Sequence, residues 1–218
     1  MDLRTALSHV VWIGGAPRAG KTTLSRLLAG KFDLKLYNLD WHQVREHRGR
    51  LDPARHRVSL RWETATMDER WVRPTADELL ERSIASWTEM FDLVVEDLLA
   101  LPRSRVILAD GPGAFPSRVA PLLASPRQAI WLVPTGEFRD AVARRRYGAA
   151  GPLAETSDPE RAGRNLRERD LRLGRHLARS CAELGLRYVE VDGSLDLDAA
   201  LALVEEHFRP HLPATFNV

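Results

Sequence analysis

Gly15-Ala16-Pro17-Arg18-Ala19-Gly20-Lys21-Thr22 fits the spacing G-x-x-x-x-G-K-[ST], and the rest of the chain is read outward from it. Before it, His9-Val10-Val11-Trp12-Ile13 has the apolar run of a buried strand. After it, Thr23-Leu24-Ser25-Arg26-Leu27-Leu28-Ala29 has a helical pattern that predicts a helix closed by Gly30. Glycines at both ends let the backbone curl with its N–H groups inward, and the helix N-terminus adds partial positive charge. A loop of this kind wraps the phosphates of a nucleoside triphosphate. Lys21 is placed to reach the β- and γ-phosphates, and the Thr22 hydroxyl to ligate Mg²⁺.

Composition narrows the alternatives. The chain has 218 residues, enough for one α/β domain with a sizeable core, and we read 1–218 as a single domain. A formal net charge of +2 does not suggest a nucleic-acid surface. No apolar run approaches the ~20 residues needed to span a bilayer. The N-terminal apolar residues belong to the first strand rather than to a signal peptide. Cys181 is the single cysteine, which excludes an internal disulfide and suits a reducing, cytoplasmic setting; it reads as a small core residue. Of 32 basic residues, all but Lys21, Lys31 and Lys35 are arginine. Arginine forks suit phosphate oxygens, although a GC-rich coding sequence produces the same bias.

Five short apolar strands are expected near 9–14, 34–39, 105–109, 129–133 and 186–191, alternating with helices, which implies a parallel sheet covered on both faces. Thr75-Ala76-Asp77-Glu78 has the form of a capping box. From it Leu80, Ile84, Trp87, Phe91, Val94, Leu98 and Leu101 form one apolar stripe, read as core packing, until Pro102. A last helix is expected over 195–208. Two stretches break the alternation. Residues 41–74 form an insertion carrying Trp41, Trp62, Trp71, His42, His47 and His56; its tryptophans either stack on a flat substrate or staple a small helical subdomain to the core. The histidines lack metal-ligand spacing, so no zinc is expected. Residues 147–163 are rich in Gly and Pro and flanked by arginines, as a lid would be.

Chemistry concentrates at strand ends. Val106-Ile107-Leu108-Ala109-Asp110 ends in an acid able to hold Mg²⁺ or orient a substrate. Tyr37-Asn38-Leu39-Asp40 ends the second strand, and in open α/β sheets such ends converge on the ligand crevice. Asp40 is our candidate for receiving the proton of an acceptor hydroxyl, the competing role being an N-cap for a helix from Trp41. Ten arginines fall between 139 and 175. Glu168 and Asp170 pair with several of them; Arg144 and Arg145, beside the Gly/Pro-rich stretch, are the candidates for closing over a transferring phosphoryl group.

With these residues in view, the chain resembles the P-loop small-molecule and nucleotide kinases, in particular chloramphenicol phosphotransferase-like, gluconate kinase-like, shikimate kinase-like and adenylate kinase-like proteins. The resemblance implies a three-layer P-loop NTPase fold with strand order 2-3-1-4-5 and a lid. It implies ATP and Mg²⁺ as cofactors and a small-molecule acceptor, with neither nucleic acid nor membrane as partner. Gly15, Ala16, Pro17, Arg18, Ala19, Gly20, Lys21, Thr22 and Thr23 would hold the nucleotide, with Gly193 and Ser194 beside the base. Asp40, Trp41 and Asp110 would face the acceptor. Asp110 through Arg118 resembles a stretched Asp-Gly-Phe-Pro-Arg, whose arginine holds an acceptor phosphate. The reaction implied is transfer of the γ-phosphate to a hydroxyl or phosphate. The alternative is a nucleotide-binding switch without a small-molecule acceptor; no Asn-Lys-x-Asp guanine-reading motif is present.

Overall fold

A computed structural model describes residues 2–147 and 153–214. Five parallel strands form one sheet: β1 (Val10–Gly15), β2 (Lys35–Asn38), β3 (Ile107–Asp110), β4 (Ala129–Pro134) and β5 (Arg187–Val191), in the order β2-β3-β1-β4-β5. This is the strand order that the resemblance implies. All six residues of β1 are buried, as expected of a central strand covered on both faces. One face carries a core around Trp12, Trp131, Phe91 and Phe115; the other carries one around Ile13, Leu28, Ile130 and Phe208. Cys181 is buried in the first, and burial pushes its thiol up to about 12, which makes it inert.

The helices follow local rules with two departures. Helix α1 (Lys21–Phe32) does not stop at Gly30. It continues so that Phe32 reaches the core, and Asp33 makes the left-handed closing turn at φ 51°, its N–H bonded to the Ala29 carbonyl. Short helices α2 (Leu39–Arg45), α3 (Arg57–Thr64) and α4 (Met67–Trp71) build the insertion. Helix α5 (Ala76–Ala100) starts at the Thr75–Glu78 capping box. It buries a second set of residues, Leu79, Ser83, Met90 and Leu93, besides the expected stripe, because it packs between the sheet side and the insertion. Helices α6 (Gly136–Tyr147) and α7 (Pro159–Glu183) flank the stretch expected as a lid, and α8 (Leu197–Phe208) closes the fold.

The second departure concerns the lid. Residues 159–163 are the first turn of α7, capped by Asp158, and only 153–158 remain as described loop. Gly148, Gly151 and Pro152 lie outside the described residues. No described helix is long and apolar enough to cross a membrane.

Candidate active site

The expected phosphate loop runs from the end of β1 into α1, and its shape is set by two glycines. Gly15 sits at φ +131°, and a Cβ there would stand 2.1 Å from the Leu132 carbonyl oxygen of β4. Gly20 sits at φ +83° and turns the chain into the helix. Arg18 is one of two non-glycine residues described with positive φ, at 67°. Its guanidinium is ion-paired with Asp170 of α7, which tethers the loop in that conformation.

Lys21 is 7% exposed and donates from Nζ to the Ala16 carbonyl at 2.8 Å, folded back over the loop. Burial pulls its pKa down, while the fields of Asp40, Asp110 and Asp170 oppose this. Thr22 Oγ1 donates to Asp110 Oδ2 at 3.2 Å, and Asn38 Nδ2 donates to Asp110 Oδ1 at 3.0 Å. Burial raises the Asp110 carboxyl above its ordinary range, against these two hydrogen bonds and the Lys21 and Arg26 charges. A buried carboxylate beside a hydroxyl is a hard-oxygen donor set that fits Mg²⁺.

The competing role for Asp40 is resolved. Helix α2 begins at Leu39, and its cap is Asn38, whose side chain accepts from the Trp41 N–H at 2.8 Å. Asp40 therefore lies in the first helical turn rather than capping it. Its side chain keeps solvent contact at the cleft mouth, but protein atoms crowd it. That crowding pushes its carboxyl upward, Lys21 opposes the shift and Asp110 adds to it.

Two clefts meet at the loop. One of about 710 Å³ is lined by Pro17 through Thr23, Asp40, Pro112 and Arg146, with Met67, Trp71, Trp87, Leu153, Leu166 and Arg169 opposite. The other, about 430 Å³, is lined by Ala19, Gly20, Thr23, Phe138, Arg145 and the β5 end, including Gly193 at φ +89°. Its position suits a nucleotide base. Ser194 does not line it; its N–H and hydroxyl both bond Asp192, at 2.8 and 2.6 Å.

Of the remaining expected residues, Arg145 borders the base-side cleft, whereas Arg144 lines neither cleft and its neighbour Arg146 lines the larger one. Trp41 is 52% exposed and lies outside both. Arg118 is drawn to α5 instead, 2.9 Å from Asp92 and over the Phe91 ring at 5.6 Å. The histidines of the insertion are structural. His47 Nε2 lies 2.7 Å from Asp97, which also accepts from Tyr37 and Arg50, and His42 stacks on Tyr37. His42, Glu46 and Asp97 do bring ligand atoms within 4.8 Å of one another, but the Arg50 guanidinium already occupies Asp97.

No family model matches the chain, and no curated protein does. Solved structures do: thymidylate kinase from Candida albicans (14% identity, TM-score 0.48, covering 96% of this chain and 95% of that one). Shikimate kinase from Acinetobacter baumannii in complex with shikimate follows at 18% identity and TM-score 0.46, covering 92% and 91%. Deoxyadenosine kinase from M. mycoides with bound dATP has 10% identity and TM-score 0.47, covering 92% and 98%. The chain is similar to P-loop kinases.

Sequence reasoning paired Asp170 with arginines but did not place that group, buried, at the rear of the large cleft. Asp170, 1% exposed in its side chain, is held by Arg18, by Arg139 at 2.8 Å and by Arg169 at 3.1 Å. Arg139 also bonds Asp140, which in turn takes Arg167 at 2.8 Å. One carboxylate among three guanidiniums leaves positive charge in excess beside the phosphate loop, as a polyanion requires. The signal was present as Arg169-Asp170 in an arginine-rich helix, but nothing local marks that pair as buried.

Proposed function

We propose that the chain is an ATP-dependent phosphotransferase that moves the γ-phosphate to a hydroxyl or phosphate of a small molecule. What supports this most is the convergence on one cleft of Lys21, Thr22 and Asp40, with Asp110 bonded to Thr22 behind the lining and Asp40 not needed as a helix cap. The loop amides and Lys21 bind and orient the phosphates. Thr22 and Asp110 would hold Mg²⁺, which supplies charge neutralisation at the β- and γ-phosphates when bound. Asp40 accepts the acceptor's proton as its oxygen bonds to the γ-phosphorus and the bond to the bridging oxygen breaks. Arg145 and Arg146, on consecutive positions of α6, reach the base-side and phosphate clefts respectively, and are our candidates for stabilising the nucleotide during transfer.

The test is ADP release from Mg·ATP across a panel of nucleosides, nucleoside monophosphates, sugars, hydroxy acids and hydroxylated aromatics, with Lys21→Ala as blank. An acceptor that accelerates turnover only when Lys21 is present is the expected result. ATP binding with no acceleration by any class would refute the reading.

A further inference from the structure

A chamber of about 220 Å³ adjoins the large cleft: Trp71, Trp87 and Arg169 line both, while Asp40 lines the cleft alone. A ligand lying along these three residues can reach Asp40 with one end and the chamber with the other. The shared wall is preorganised. Trp71 packs on the small core of Val72, Leu153, Ala162 and Leu166. Trp62 meets it edge to face at 5.0 Å, and Asn165 Nδ2 donates to the Trp71 and Pro74 carbonyls at 3.0 and 2.9 Å.

The chamber carries positive charge in excess. Its lining holds three arginines, Arg48, Arg82 and Arg169, and one acid, Glu63. Arg48 is paired with Glu63 at 2.9 Å, which leaves Arg82 and Arg169. Arg82 is ion-paired with no carboxylate among the described residues. Its hydrogen bond runs from Nη1 to the Glu69 carbonyl at 3.5 Å, and Glu78, one turn before it on α5, is bonded to Thr75. Glu89 lies next to Ser59 of the lining, but its carboxylate accepts from the Val58 and Ser59 N–H groups at 3.0 Å each and so caps the start of α3.

Arg169 is 6% exposed, so water does little to solvate its charge. Its guanidinium carbon lies 5.9 Å from the Trp71 ring centre and 5.7 Å from that of Trp87. Nη1 donates to Ser83 Oγ at 3.1 Å, and Nη2 donates to no described residue. Nε stands 3.1 Å from Asp170 without forming a hydrogen bond. Asp170 does not balance this charge alone, because the same carboxylate serves Arg18 and Arg139. Burial pulls the Arg169 pKa down, Asp170 opposes that, and Arg18 and Arg139 add to it. A buried cation short of counter-charge is stabilised by an anion that reaches it.

Resting on the phosphotransferase reading above, we infer that the acceptor is an anion whose carboxylate or phosphate enters the chamber to meet Arg82 and Arg169, while its flat body lies on Trp71 and Trp87 and its hydroxyl faces Asp40. This anion site is not the one that the family resemblance implies. Arg118, which stands at that position, is held by Asp92 on α5.

The experiment is calorimetric titration of the full chain, saturated with Mg²⁺ and a non-hydrolysable ATP analogue, with matched pairs: para-hydroxyphenylacetate against tyrosol, and thymidine monophosphate against thymidine. The anionic member of at least one pair should bind about tenfold tighter or more than its uncharged partner, and which pair does so tells carboxylate from phosphate. Arg82→Ala should weaken the anionic member about tenfold and leave its uncharged partner unchanged, with Arg82→Lys restoring part of the loss. Arg118→Ala should change neither. Arg169→Lys keeps a charge without the fork and should also weaken the anion. Should that variant fail to fold by circular dichroism, Arg82→Ala, at an exposed position, carries the test. Equal or tighter binding of the uncharged member in both pairs, no saturable binding by either anionic probe, or an anion preference that Arg82→Ala leaves intact would overturn the inference. Binding is read without turnover, so a chain that selects the anions but never releases ADP would sink the kinase reading alone. ADP release driven only by uncharged acceptors would sink this inference and leave that reading standing.

Discussion

Thr22 and Asp110 meet across a 3.2 Å hydrogen bond that joins the first turn of α1 to the last residue of β3. The bond exists because β1 lies beside β3, with Ile13 in register with Asp110, so the loop leaving one strand ends over the tip of the other. Two residues far apart in sequence become one donor set.

That donor set carries a cost in the free protein. Asp110 is 1% exposed, and burial raises its pKa, so the folded state holds a proton there more tightly than the unfolded chain does. Stability from this group therefore declines as pH rises from the unfolded pKa through the folded one, and levels off above it. Asp110→Asn should remove that pH dependence and raise the melting temperature at neutral pH, by about 1 kcal/mol or some 2–4 °C. Asn38 and Thr22 can still be satisfied by an amide. Mg²⁺-dependent turnover should be lost at the same time. Paired melts at pH 5 and pH 8 check the first point; a melting temperature that falls in the variant would contradict it.

Asp170 is a buried carboxylate of a different kind, ringed by three guanidiniums. Its side chain is 1% exposed, and those of Arg18, Arg139 and Arg169 are 10%, 7% and 8% exposed. Asp170→Ala removes the carboxylate that three buried guanidiniums share, which should cost ~3 kcal/mol or more and lower the melting temperature by roughly 10 °C. Nucleotide affinity should weaken as well, because Arg18 loses the tether that holds the phosphate loop in its left-handed turn. A variant that melted normally and bound nucleotide normally would show that the arginines find other partners.

The contrast between these two acids explains what was legible in sequence. Asp110 could be placed because it ends an apolar run, and parallel strands present their carboxyl ends together; the same rule located Asp40, while Gly193 came from the family resemblance. The capping box at Thr75 and the breaker at Pro102 bounded α5 because both act within a few residues of chain. Gly30 misled because helix ends are decided by what the next side chain can bury, and Phe32 had a core to reach. The burial of Asp170 and the cleft positions of Trp87 and Arg146 were out of reach for a related reason. Trp87 fits its helical stripe equally as core or as cleft wall, and only the placement of α4 and α7 across from it decides. Arg144, Arg145 and Arg146 differ by successive 100° rotations on α6, so the choice among them depends on a helix phase that composition does not carry.

Asp40 offers the sharpest test of the chemistry. A general base works only when ionised, and here crowding by protein lifts its carboxyl above 3.8, with Asp110 adding and Lys21 opposing. The acid limb of kcat should therefore lie above the ordinary carboxylate range, activity being lost as pH falls through the Asp40 pKa. Asp40→Asn should reduce kcat by about 100-fold or more and abolish that limb. The KM for ATP should change little, because Asn38, not Asp40, caps α2 and the phosphate loop is untouched. Lys21→Ala should instead weaken nucleotide binding and turnover together. Full turnover in Asp40→Asn with the same pH profile would remove Asp40 from the reaction and leave the acceptor's proton to solvent or to the γ-phosphate itself.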